Sequence, residues 1–231
     1  VAGMLAILLM TALSAASGEG ARPGVTGGDA AVVEQIVAVV RNPAGSPPRP
    51  ITLTRLVEEA RVALVGQGAT DAANAPLDPP ALRAALRWLV DQWLVSEEAA
   101  RLGVDELSRD ELEAAVRRFR ERFAEPAAFQ RFLAAADLAE EELAVILARG
   151  LKVEHYLEGR VGRAARVGDE ELARALASAG PSADAPGARE ALRARLRDEK
   201  AAAQVRQILV DLRGRADVRV LAPELAGGAG P

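Results

Sequence analysis

"LRWLVDQWLVSEEAARLGV", residues Leu86 to Val104, is the stretch whose reading decides the fold. It holds both tryptophans of a sequence that is only 3% aromatic. Wound as a helix, Leu82, Leu86, Leu89 and Trp93 recur at steps of three and four residues, with Val90 and Leu94 beside them. That stripe is a core face. Trp88 and Val95 stand off it. They are seven residues apart and share a face nearly opposite the first. Either neighbouring elements sandwich this helix, or the second face is an apolar patch left open for a partner. Trp88 and Val95 are therefore the candidate contact residues.

Outward from this helix, turn signals cut the sequence into short units. Asp78 precedes two prolines and caps the tryptophan helix, and Gly103 ends it where a left-handed cap needs glycine. Upstream, "VEQIVAVV" (Val33 to Val40) reads as a strand, "RNPAGSPPRP" as a loop and "ITL" from Ile51 as a short return strand. Thr54 is placed to cap the helix "RLVEEARVALV", and "GQGATDAANAPLDPP" reads as a loop. Downstream, Ser108 and Glu111 form a capping box, followed by a stripe of Leu112, Val116, Phe119 and Phe123. The phenylalanines of this stripe read as core. Pro126 opens a helix with Phe129, Phe132 and Leu133. A long helix from Glu140 to Ala165 sets Leu143, Ile146, Gly150, Val153 and Leu157 on one face. "GDEELARALASA" is one more helix, "GPSADAPG" a linker, Arg189 to about Arg213 a last helix, and "ADVRVL" a closing strand.

Composition narrows the classes. The sequence has 231 residues, 50% of them hydrophobic and 27% charged, which suits a soluble chain with a sizeable core. The apolar residues are chiefly Ala, Leu and Val, which favours helices over an all-β fold. Net charge is −4, with both signs interspersed, and no basic or aromatic stripe offers a nucleic-acid groove. There is no cysteine, so neither disulfides nor a lipid-modified cysteine is available within this sequence. "MLAILLMTALSAAS" from Met4 resembles an export signal, with a cleavage site near Ala16, although no Lys or Arg precedes it. The alternative is an uncleaved anchor in the inner membrane.

The order of these parts resembles the SurA N-terminal-like domain of the SurA, PrsA and trigger-factor chaperone group. "IVAVV…N…PITLTRLVEEA" is similar to that family's strand, turn, return strand and first helix. "LVDQWLVSEEAARLGV" resembles its next helix, and "LSRDELEAAVRRFRERFAEPAAFQRFLAAADLAEEEL" the capped helix, phenylalanine helix and acidic restart. "ARGLKVEHYLEGRV", "VGDEELARAL" and "ADVRVL" resemble the parts that follow, so the likeness covers about residues 33–221. It implies a mostly α fold, a helical chaperone module in which a small sheet joins the N-terminal hairpin to the C-terminal strand. The domain plan is a signal peptide at 1–16, a flexible lead-in at 17–32, the helical domain at 33–179 and a linker at 180–187. A helix and strand at 188–221 complete the domain, and a disordered tail occupies 222–231.

Departures from the family shape the functional expectation. Many relatives insert a parvulin-type prolyl isomerase where this sequence has only the 180–187 linker, and such a domain needs on the order of a hundred residues. Asp137 stands where many relatives have glycine, and Ala139 where they have a Ser or Thr cap, each weakening a cap by about 1 kcal/mol. The one histidine, His155, has no nucleophile beside it and reads as a surface or half-buried helix residue. No phosphate cradle or metal-ligand spacing appears, and the runs at Glu140 and Asp169 read as helix starts. The resemblance thus implies a periplasmic, ATP-independent holdase for unfolded or nascent envelope and outer-membrane proteins. No enzyme activity, cofactor, nucleic acid or stable membrane insertion after cleavage is expected. The alternatives are an inactive or partial prolyl-isomerase relative and a scaffold with one fixed partner. If the export reading holds, mass spectrometry of the protein from cells will find an N-terminus between about Ala15 and Ala21. Intact protein held in the inner membrane would reverse it.

Overall fold

The computed structural model describes residues 34–42, 47–104, 106–179 and 187–226. The export segment, the lead-in, residues 180–186 of the linker and the last five residues lie outside them. Strands β1 (Ile36–Arg41), β2 (Arg49–Thr52) and β3 (Asp217–Val220) form one antiparallel sheet in the order β2-β1-β3. The remaining described elements are helical, so the fold is mostly α with a small sheet, as the sequence implies. In β1, Val37, Ala38 and Val40 are buried, which suits a central strand. Val39 pairs with Pro50 on one side and Arg219 on the other. Pro50 is tolerated because β2 is an edge strand. The Val37 carbonyl accepts from the Leu221 N–H at 2.8 Å, fastening the end of the domain to its beginning.

Several helices begin where a side chain satisfies one of the first free N–H groups. Thr52, the last residue of β2, is extended at φ −90° and accepts from the Arg55 N–H at 3.2 Å. Helix α1 (Leu53–Gly66) therefore starts at Leu53 with Thr52 as its cap, not with Thr54 as the sequence reading has it. A five-residue helix, α2 (Thr70–Asn74), replaces part of the expected loop and buries Ala73. Asp78 caps α3 (Pro79–Arg101) through the Ala81 N–H at 2.8 Å, and Gly103 after it is left-handed at φ 63°. Ser108 and Glu111 complete the capping box of α4 (Arg109–Arg120). Helix α5 (Pro126–Ala136) ends on Asp137 at φ 52°, the left-handed position that glycine fills at lower cost. Ala139 offers no side-chain acceptor, but its N–H donates to Glu142 at 3.0 Å, so half a capping box opens α6 (Glu140–Ala164).

Helix α7 (Asp169–Ala179) packs against α8 (Ala188–Arg215), with Lys200 bonded to Glu171 at 2.8 Å and to the Arg166 carbonyl at 2.7 Å. Helix α8 begins one residue earlier and ends two residues later than its sequence pattern indicates. Part of the tail expected to be disordered from 222 onward is helical: α9 (Pro223–Ala226) lies against α3 with Ala222 and Leu225 buried. The two apolar residues, one turn apart, account for its docking.

The core is arranged around α3, which touches α1, α6, α8 and α9. Its buried residues include Leu86, Leu89, Trp93 and Leu94 from the first stripe, and Val95 and Ala99 from other directions. Three polar residues are buried with them: Asp91, Gln92 and Glu98. Asp91 accepts a two-pronged bond from Arg213 of α8, at 2.6 and 2.7 Å. Glu98 accepts from Arg101 at 2.8 Å on both oxygens, which holds its carboxyl below the usual range, and Arg215 lies 3.8 Å away. Burial raises the Asp91 carboxyl above the usual range, with Arg213 opposing.

Arg213→Ala leaves that carboxylate buried without its partner. Because Arg213 is itself 45% exposed, the expected loss at pH 7 is about 2 kcal/mol rather than the about 3–5 of a fully buried pair. The sign with pH follows from the raised folded-state pKa. Ionised Asp91 costs stability in full above that pKa; the cost shrinks as pH falls through it and is gone below the unfolded-state value. Urea unfolding should show the gap between variant and parent narrowing as pH falls through the Asp91 titration.

Candidate functional site

Helices α1, α3, α4 and α6 enclose an open groove of about 340 Å³. One wall is Val62, Ala63 and Gly66 of α1, brought to one side by steps of one and three residues. The opposite wall is Leu147, Gly150 and Val153 of α6. Trp88 and Gln92, one turn apart on α3, line it as well, with Leu157 of α6 and Phe119 of α4. A Cβ placed on Gly66 or Gly150 would meet nothing within 4 Å, so both glycines leave open space over the groove. Phe119 is held rigid by a ring cluster, with centroids 5.9 Å from Phe123, 6.4 Å from Phe129 and 5.9 Å from Phe132. Phe119, Phe129 and Phe132 are buried and Phe123 half-buried, so these rings belong to the core, as read from the sequence.

The charges around the groove differ in kind. Arg149 of α6 binds Glu59 of α1, a fully buried carboxylate that also accepts from Arg55 at 2.8 Å. Burial lowers the Arg149 pKa, with Glu59 opposing, and its Nε is buried with no hydrogen-bond partner among the described residues. Glu154 is half-buried, and its carboxyl is raised first by burial and then by neighbouring Glu158. Arg118 and Arg122 are exposed, and neither enters an ion pair among the described residues. His155 lies half-buried on the outside of α6, its Nε2 3.4 Å from Glu111. Among the described residues, no group of three or more His, Cys, Asp or Glu is placed to hold a metal ion, and no helix is long and apolar enough to cross a membrane.

The two candidate contact residues separate. Trp88 is half-buried, packed on the core with one side open to the groove. Val95 is fully buried and is not a contact residue. The sequence offered it as a contact residue only because it lies off the main stripe, on the same side of α3 as Trp88. Asp91, Gln92 and Glu98 are themselves buried, two of them satisfied by arginines, and Val95 is sealed in among them. Trp93 is buried under the Arg49 guanidinium, 5.1 Å from the ring centroid, and its Nε1 has no partner among the described residues. Gln92, Arg118 and Arg122 are groove residues that the sequence reading did not single out, and Gly150, which it set on the apolar face of the long helix, lines the groove. A glycine in the middle of a long helix was the one available signal, since it costs helix stability for no evident gain.

No family model, curated protein or solved structure matches this chain.

The groove predicts how its walls respond to substitution. Gly150→Ala enters open space on a helix and should stabilise the protein by about 0.5–1 kcal/mol in urea unfolding. Trp88→Ala should cost about 1–2 kcal/mol, well below the about 3–5 of a fully buried aromatic, which is the loss expected for Trp93→Ala.

Proposed function

We propose that this protein is an exported, ATP-independent holdase of the SurA N-terminal-like kind, lacking an isomerase domain, which binds unfolded or nascent envelope and outer-membrane proteins in the periplasm. The observation that carries the reading is the open groove between α1, α3, α4 and α6, lined by half-buried Trp88 and with aliphatic walls. An apolar groove of this size takes a few side chains of an extended segment at a time. Contacts of that kind are weak and tolerant of sequence, which allows capture of many clients and their release. The order of elements supports the same reading: hairpin, capped helices, long α6, and a returning helix and strand that close the sheet. So does the chain between α7 and α8, eight residues from Gly180 to Gly187, where relatives of that group carry an isomerase.

Light scattering of several unrelated unfolded proteins tests the proposal. The protein should suppress aggregation of most of them without nucleotide. Gly150→Phe, which fills the groove from a position with room for a side chain, should fold normally and lose most of that protection. Suppression of a single client alone would point instead to a dedicated assembly partner. Full protection by Gly150→Phe would remove the groove from the mechanism.

A further inference from the structure

We infer that the groove selects client segments in which apolar residues are flanked by carboxylates, and that Arg118 and Arg122 recognise the acid. The inference rests on the groove being the client site, as proposed above. Charge complementarity carries it. Of the charges lining the groove, Arg149 is committed to buried Glu59, which it shares with Arg55. Glu154 is the one carboxylate among the lining residues; it is half-buried and disfavoured as an anion by burial and by Glu158, with His155 and then Arg118 opposing only in part. Arg118 and Arg122 remain, exposed and four residues apart, with no ion pair among the described residues. They stand on either side of Phe119 in the sequence, and all three line the groove. The whole chain carries −4, so this part of the groove is a local positive excess on an acidic protein.

A segment whose apolar side chains lie along Gly150 and Trp88 would bring a neighbouring carboxylate to these guanidiniums, in a fork geometry that suits arginine. A lysine-flanked segment meets two cations there. An acyl chain with a carboxylate head shares the chemistry, but the groove is open and lies at the small end of sites that enclose a ligand, so it covers little of a long tail. The observations favour the peptide.

The test uses the whole chain carrying Trp93→Phe, which leaves Trp88 as the sole indole. Peptides sharing one tryptophan-free apolar core, flanked by Glu, Gln or Lys, are titrated against its emission. Glu-flanked peptides should bind about three- to tenfold more tightly than Gln-flanked ones, and Lys-flanked ones most weakly, the spread shrinking as salt rises. Arg118→Glu/Arg122→Glu should reverse the order, and Arg118→Gln/Arg122→Gln should abolish it if the charge-reversed protein folds poorly. Equal affinities for all three sets would overturn the acid preference while leaving the groove as client site. No change in Trp88 emission with any peptide, with aggregation suppression intact, would overturn the acid preference and the groove as client site while leaving the holdase activity standing. Displacement of every peptide by laurate at lower concentration would assign the groove to an amphiphile and overturn the inference.

Discussion

Helix α3 has no free side along its middle turns, and the rest of the fold is organised by the need to cover it. A helix apolar on one stripe can lie on a surface; one buried from several directions must have neighbours on all of them. Here α1, α6, α8 and α9 supply those neighbours. The demand is electrostatic as well as apolar. Asp91 and Glu98 are carried into the core by the same burial, and a carboxylate there must find a cation or pay several kcal/mol. Arg213 and Arg215 come from α8, more than a hundred residues downstream, so the C-terminal helix is an essential part of the domain rather than an appendage. The polar contacts fix where α8 sits along α3, a registration that apolar packing alone leaves loose.

The same logic explains the groove. Glu59 on α1 is wholly buried, and Arg149 on α6 reaches across to it. This bridge holds the two helices together at one level, while Gly66 and Gly150 keep side chains out of the space beside it. The opening is therefore braced, with Phe119 of a rigid ring cluster in its lining and an ion pair between its walls. A surface that receives many partners benefits from such bracing, because little ordering is lost on each encounter.

Much of this architecture was legible in the sequence because its signals are local. Asp78, Ser108 with Glu111, and Gly103 each announce a helix boundary through a bond made within four residues. The three strands show as short β-branched runs next to turn residues, and periodic leucines mark the core face of α3. What was not legible depends on tertiary placement. The burial of Val95 was not legible because it depends on α3 being covered from several directions, and the Asp91 beside it is paired by an arginine 122 residues away. Thr52, not Thr54, caps α1, because β2 stops at Thr52, short of Leu53, and the helix starts there. The short helix α9 has only Ala222 and Leu225 to betray it. The groove arises from four helices that meet only in the folded chain, so its arginines read in the sequence as ordinary surface charges.

The position of β1 between β2 and β3 has a kinetic consequence. Its partner on one side follows within about ten residues, while the partner on the other arrives some 180 residues later. A chain that emerges from its N-terminus holds one edge of β1 open through most of its synthesis. The hairpin and the helices around α3 can form early, whereas closure of the sheet must wait for a loop spanning nearly the whole domain. The last step of folding is thus the joining of the two ends, and until it occurs the molecule itself presents the kind of unpaired strand that invites misassembly.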